Sequence, residues 1–136
     1  MVPDLEYMQD FASRYTMAWC SHDPARVASF FSAEGSLTIN DGVPSVGRDQ
    51  IAEAARSFME SFPDLRVLMD DLVLREKRVE YHWTLIGTAS GAMGKCVRIS
   101  GYEAWHMGTD GLIAKSLGHF DAADYERQLR SGSQSR

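Results

Sequence analysis

The sequence has 136 residues, 44% of them hydrophobic and 24% charged, which is the composition of one ordinary globular domain. The net charge of -5 and the lack of a basic stripe argue against a nucleic-acid-binding protein, and no segment is apolar for long enough to span a membrane. No apolar run follows a basic start in residues 1–20, so we expect no signal peptide and a cytoplasmic protein. We expect one domain over residues 1–130 and a flexible tail over residues 131–136, which are small and polar.

Helical spacing of apolar residues dominates the first half of the chain. It predicts one helix over residues 5–19 and a second, short helix that has Asp23 as its N-cap and runs through Phe31. A third helix is predicted from about Arg48 to a stop at Pro63, because proline cannot continue a helix.

Alternating apolar residues predict strands in the second half, after one short strand and a turn-rich loop between the second and third helices. The apolar positions shift parity near Asp70, which indicates a β-bulge. The hairpin between the two central strands is predicted to be centred near Ala92 and Met93, and Asp121 is predicted to cap a terminal helix. The predicted strands cover residues 36–39, 65–75, 78–88, 95–107 and 112–120. Helices followed by an antiparallel meander indicate the α+β class.

The two cysteines, Cys20 and Cys96, are far apart and match no metal-ligand spacing, and no two histidines share such a spacing. We therefore expect reduced thiols, no metal and no other cofactor.

An ordered set of short motifs accompanies these elements over nearly the whole chain. The set is Val46-Gly47-Arg48-Asp49-Gln50-Ile51, Phe62-Pro63-Asp64-Leu65, His82-Trp83-Thr84 with Gly87-Thr88, Asp110-Gly111-Leu112-Ile113, and Phe120-Asp121 with Gln128-Leu129. It resembles the SnoaL-like branch of the nuclear transport factor 2-like, or ketosteroid isomerase-like, superfamily. The resemblance implies a cone-shaped α+β fold, in which a curved antiparallel sheet and the helices close an internal cavity, and a homodimer through the convex sheet face.

The resemblance also assigns the faces of the strands. It places one set of side chains on the cavity side: His82, Thr84, Ile86, Ile99, Gly101, Glu103, Trp105, Ser116, Gly118 and Phe120. The homodimer would then use the opposite face, with Tyr81, Trp83, Tyr102 and Ala104, because soluble monomers avoid large exposed aromatic patches.

The sequence departs from the family at its best-known functional positions. SnoaL-type cyclases carry an acid/base aspartate on the last strand, where this chain has Gly118. Epoxide hydrolase-type members add an Arg-x-Asp pair on the central strand, where this chain reads His82-Trp83-Thr84, and a Tyr and an Asn on the first strand, where it has Leu37 and Ile39. Neither mechanism is therefore carried over.

His82 and Glu103 are the candidate acid/base pair. In the predicted register they lie directly opposite each other, and side chains opposed on one face are about 5 Å apart. A carboxylate beside an imidazole fixes its tautomer and raises its basicity, which suits proton transfer. The alternative is a structural polar pair that fills part of the cavity.

The candidate ligand-binding residues are mainly aromatic, so we expect a flat, neutral or weakly acidic, hydrophobic or aromatic ligand. They are Tyr15, Trp19, Phe58, Phe62, Thr84, Trp105, Ser116 and Phe120.

Three functions remain open at this point. The first is a cofactor-free enzyme of the cyclase, isomerase or dehydratase type, which moves a proton next to the carbonyl of a hydrophobic substrate. The second is a non-catalytic module that binds a small hydrophobic or aromatic ligand. The third, a protein-interaction domain, would have a filled cavity.

Overall fold

The structure is a computed structural model that describes residues 3–90 and 94–131. Within them lie four helices and six strands, and the strands form one curved sheet in the order β2-β1-β6-β5-β4-β3. Every neighbouring pair is antiparallel except β1 and β6, which run parallel. The elements are α1 (Leu5–Cys20), α2 (Pro24–Ala28), β1 (Phe31–Ile39), β2 (Ser45–Val46), α3 (Arg48–Ser61), β3 (Arg66–Leu74), β4 (Val79–Thr88), β5 (Cys96–Met107), β6 (Ile113–Phe120) and α4 (Ala122–Ser131). The predicted α+β class and the curved sheet are confirmed.

Local signals set several element boundaries as predicted. The Asp23 side chain accepts hydrogen bonds from the first backbone N–H groups of α2. The Asp121 carboxylate accepts one from the N–H of Asp124 at the start of α4. The register of β3 on β4 shifts between Met69 and Asp71, which is the predicted bulge.

The second helix is shorter than predicted and the first strand is longer. Helix α2 ends at Ala28, and Phe31 already belongs to β1, where it pairs with Ile113 of β6. Residues 32–35 have little intrinsic preference for a strand. Strand β1 extends over them because it pairs with β6, which is distant in the sequence.

The register of β4 on β5 differs by one residue from the predicted one. Tyr81 lies opposite Glu103, and His82 lies opposite Tyr102. Because side chains alternate between the faces of a strand, this slip transfers every side chain of β4 to the other face. The predicted hairpin centre at Ala92 and Met93 lies outside the described residues.

We call the sheet face that packs against the helices the inner face. Tyr81 belongs to it, because its ring stacks on Trp105 with centroids 4.9 Å apart and meets Tyr15 of α1 edge-on at 5.3 Å. The opposite, outer face carries a row of rings across three strands, with His82 stacked on Tyr102 at 5.4 Å and Tyr102 beside His119 at 5.0 Å.

This arrangement corrects the predicted dimer surface. Tyr81 and Trp83 lie on the inner face, and only Tyr102 and Ala104 of the predicted set lie on the outer one. The outer face therefore lacks two of the three aromatic residues that were predicted to form the dimer surface, and the homodimer stays a prediction.

Helix α4 packs against β5, and its Gln128 side chain is buried there. The side chain pairs with the backbone of Arg98 as a neighbouring strand would. Its Oε1 accepts from the N–H of Arg98 at 2.6 Å, and its Nε2 donates to the carbonyl of the same residue at 2.9 Å. Of the predicted tail, only Ser131 lies within the described residues, as the last residue of α4. None of the described helices combines the length and the apolar character that crossing a bilayer requires.

Candidate active site

Glu103 is a carboxyl group in the core of the molecule. It lies on the inner face of β5, with Tyr81 of β4 opposite on one side and Gly118 of β6 on the other. Only 8% of the residue is exposed, although glutamate is one of the residues least often buried. A buried acid in the middle of a sheet needs hydrogen-bond partners, and the neighbouring elements provide them.

Three side chains hold the Glu103 carboxyl group. The indole Nε1 of Trp105 and the hydroxyl of Ser116 each donate to Oε1 at 2.8 Å. The Tyr15 hydroxyl, which reaches across from α1, lies 3.1 Å from both Oε1 and Oε2. Oε1 therefore has three donors around it. Oε2 has one, the Tyr15 hydroxyl, which it shares with Oε1.

The electrostatic environment favours the neutral acid. Burial raises the pKa of the Glu103 carboxyl above its usual range, although the donors of Trp105, Ser116 and Tyr15 act in the opposite direction. None of the ion pairs among the described residues involves Glu103. Burial and then the charge of Glu103 also raise the pKa of the Tyr15 hydroxyl well above its usual value, so Tyr15 remains a donor.

A cavity of about 60 Å³ adjoins Glu103 between the inner face of the sheet and helices α1 and α3. This volume exceeds the ~10–15 Å³ that one water molecule needs, but it is small beside the ~300–1,000 Å³ of sites for drug-sized ligands. Phe58, Ile39 and Phe120 remain partly exposed, so the cavity opens to solvent at their end. The lining residues are Trp19, Leu37, Ile39, Ala54, Phe58, Val67, Tyr81, Trp83, Leu85, Ile99, Glu103, Gly118, His119 and Phe120.

The lining is mainly apolar and aromatic, and Glu103 is its only acidic side chain among the described residues. Trp83 adds a hydrogen-bond donor. Its indole Nε1 is buried and has no hydrogen-bond partner within residues 3–90 and 94–131. Buried polar groups are almost always paired, so this donor is a feature that requires an explanation.

The structure separates the two residues of the predicted acid/base pair. His82 lies on the outer face, where its Nε2 is 3.6 Å from Oε1 of Glu80, and Glu103 lies on the inner face. The predicted opposition of His82 and Glu103 is therefore wrong, because it depended on a register one residue away from the real one. Glu80 instead belongs to an outer ion-pair group in which hydrogen bonds, first from Arg78 and then from Arg75, lower the pKa of its carboxyl.

The predicted ligand-binding residues fall into three groups. Trp19, Phe58 and Phe120 line the cavity. Tyr15, Trp105 and Ser116 are fully buried behind it and hold Glu103.

The third group, Phe62 and Thr84, lies away from the cavity. The Phe62 ring packs 6.3 Å from that of Tyr125. Thr84 was predicted on the cavity side but lies on the outer face. There its hydroxyl donates to the Asp70 carboxylate at 2.5 Å, and the Ser100 hydroxyl lies 2.7 Å away.

Sequence reasoning missed the contribution of β4 to the cavity, which consists of Tyr81, Trp83 and Leu85. The signal was present, because this face of the strand is the more apolar and aromatic one. Leu37 and Ile39, noted from the sequence as departures from the family, also line the cavity. The described residues contain no cluster of His, Cys, Asp or Glu that would hold a metal ion.

Comparisons with known proteins agree with this fold. The family model described as SnoaL-like polyketide cyclase matches residues 9–129. The solved structure of TsrD from Streptomyces laurentii is 21% identical, with a TM-score of 0.81 over 94% of this chain and 98% of that chain. A hypothetical protein with a ketosteroid isomerase-like fold from Catenulispora acidiphila, in complex with trimethylamine, is 15% identical, with a TM-score of 0.79 over 88% and 92% of the two chains.

A third similar structure is SalBIII, an epoxide hydrolase/cyclase-like enzyme with a role in pyran ring formation in the polyether salinomycin. It is 14% identical, with a TM-score of 0.78 over 89% of this chain and 95% of that chain. At these identities the likeness concerns the fold alone. The search among curated proteins gave no significant match.

Proposed function

The chain belongs to the SnoaL-like polyketide cyclase family, and on this premise we propose that it is a cofactor-free enzyme that moves a proton on a small, largely apolar carbonyl compound. Glu103 is the proton-transfer group in this proposal. The reaction class is isomerisation, aldol-type cyclisation or dehydration, since each begins with proton removal next to a carbonyl.

The observation that carries the proposal is the asymmetric environment of the Glu103 carboxyl. Oε1 is occupied by donors from Trp105, Ser116 and Tyr15, and these contacts fix the orientation of the group. Oε2 has spare capacity, because it only shares the Tyr15 donor, and Glu103 lines the cavity. A group held rigidly on one side and free on the other suits proton transfer to or from a bound molecule.

The chemistry follows from the burial of this acid. A raised pKa makes the Glu103 anion a stronger base than a solvated carboxylate, and its acid form persists to higher pH than that of a solvated carboxyl. The anion takes a proton from the carbon next to the carbonyl, and the substrate becomes an enolate. The protonated Glu103 then returns the proton to another atom of the substrate, so that the enzyme is unchanged.

Deuterium exchange tests the proposal without knowledge of the natural substrate. Cyclohexanone in D₂O exchanges its α-protons when a base removes them, and proton NMR follows the loss of their signal. We expect the wild type to accelerate exchange and Glu103→Gln to lower the acceleration by roughly 10²–10⁴-fold, the usual contribution of one acid/base group. Glu34→Gln, at an exposed glutamate of β1, is the control. Equal exchange in wild type and Glu103→Gln would refute the role of Glu103.

A non-catalytic binding module is the second candidate, and the small aromatic lining of the cavity favours it. The aromatic residues Trp19, Phe58, Trp83 and Phe120 suit a small cation as well as an apolar molecule. The structurally similar protein from Catenulispora acidiphila is in complex with trimethylamine. Binding of trimethylamine or cyclohexanone, measured by calorimetry, with no acceleration of exchange would support this function over the enzyme.

A further inference from the structure

Trp83 is a polar residue of the cavity that the proposed proton transfer does not use. It lies on the inner face of β4 and lines the cavity, and its buried Nε1–H has no partner within the described part of the chain. We propose that this group donates a hydrogen bond to a carbonyl oxygen of the bound molecule, so that Trp83 selects ligands that carry such an oxygen. The inference rests on the proposed function and names the residue that recognises the substrate.

The neighbouring tryptophan Trp105 shows why Trp83 is distinct. The Trp105 indole donates to Oε1 of Glu103 at 2.8 Å, so this donor is used within the protein to hold the carboxyl group. The Trp83 indole has no such partner among the described residues, although its nitrogen is buried.

The sheet register brings Trp83 within reach of the same ligand as Glu103. Trp83 lies opposite Gly101 on β5, and Glu103 is two residues farther along that strand on the same face. Diagonal neighbours of this kind are about 7–8 Å apart, a spacing that one small molecule bridges. An oxygen bound by Trp83 thus places an adjacent carbon toward Glu103.

Gly101 makes room for the indole ring. The Cζ2 atom of Trp83, next to the ring carbon that carries Nε1, lies 2.8 Å from the position that a Cβ of residue 101 would occupy. The Phe120 ring packs against the indole at 6.1 Å. The indole edge that carries Nε1 is therefore positioned by two features: the space left by Gly101 and the ring of Phe120.

A hydrogen-bond donor inside an apolar cavity discriminates between ligands of equal shape. The donor is already unpaired and buried in the free protein, so a ligand with an acceptor gains a hydrogen bond that a ligand of the same shape without one does not. Cyclohexanone and methylenecyclohexane form a matched pair, because the second has a CH₂ group in place of the oxygen. We expect methylenecyclohexane to bind the wild type about tenfold more weakly, after correction for its greater hydrophobicity.

NMR of the indole N–H signals tests the proposal directly. The three indole signals of the ¹⁵N-labelled wild type are assigned by triple-resonance experiments, so this readout needs no variant. We expect cyclohexanone to move the Trp83 proton signal downfield and methylenecyclohexane to leave it nearly unchanged. The Trp105 signal is the internal control, because its donor is already bound to Glu103.

Affinity measurements on Trp83→Phe complete the experiment, since phenylalanine keeps an aromatic ring but lacks the donor. We expect the preference for the ketone to disappear in Trp83→Phe and to persist in the control Tyr102→Phe, which removes a hydroxyl donor from the outer face of the sheet. A ketone preference that persists in Trp83→Phe, or an equal shift of the Trp83 signal by both probes, overturns the inference while ligand binding in the cavity stands. Absence of binding by both probes overturns the proposed function and this inference together.

Discussion

The stability of the protein should depend on pH through Glu103, and replacement by glutamine isolates the effect. Glutamine keeps the shape of the side chain and an oxygen that accepts from Trp105 and Ser116, but it does not titrate. Burial raises the pKa of Glu103 in the folded protein, so the folded state binds this proton more tightly than the unfolded chain does. The stabilisation is complete below the pKa of the unfolded chain and is lost as the pH rises through the folded pKa.

The linkage relation sets the magnitude. An unfolded glutamate titrates near pH ~4.3, and each pH unit between that value and the raised folded pKa costs the wild type up to about 1.4 kcal/mol of unfolding free energy. Glu103→Gln lacks this cost. The difference in unfolding free energy, variant minus wild type, should therefore rise with that slope above pH ~4.3 and become constant above the folded pKa.

Urea unfolding, followed by tryptophan fluorescence at pH values from 4 to 8, measures this difference. Glu34→Gln, at an exposed position, should show no such trend. A difference that is independent of pH, or that falls as the pH rises, would refute the reasoning. It would mean that the donors from Tyr15, Trp105 and Ser116 outweigh burial and keep Glu103 ionised.

Two further changes test the packing around the site. In Gly101→Ala the added Cβ would lie 2.2 Å from the backbone oxygen of His119, so we expect a loss of about 1–3 kcal/mol in a urea titration. Gly118→Ala meets only atoms at 3.5 Å or farther and should leave stability nearly unchanged while weakening cyclohexanone binding; equal stability losses in both would contradict this account. Gln128→Leu should cost about 1–3 kcal/mol, because it leaves the N–H and carbonyl of Arg98 without their partner, and amide hydrogen exchange at Arg98 should become faster. Unchanged exchange there would show that α4 does not protect this edge of the sheet.

The sequence by itself determined the features that depend on neighbouring residues. Asp23 caps α2 because its carboxylate reaches the N–H groups just after it, and the parity shift at Asp70 is visible in the order of residues alone. Such signals act over a few residues or along one strand, so no tertiary information is needed to read them. The inner position of Glu103, Trp105 and Ser116 was predicted in a different way, from the resemblance to the family, which carries information about the fold.

Only the tertiary structure decided which face of β4 lines the cavity. The sequence shows two faces, one with His82 and Thr84 and one with Tyr81 and Trp83, and both contain groups that suit a cavity. A shift of one residue in the pairing with β5 exchanges them, and the local sequence of the hairpin does not specify that register. What selects it is packing with distant elements: Tyr81 stacks on Trp105 and meets Tyr15 of α1, and burial of these rings outweighs any local preference. Contacts between residues far apart in the chain thus placed His82 on the outer face, away from Glu103, and Trp83 on the face that lines the cavity.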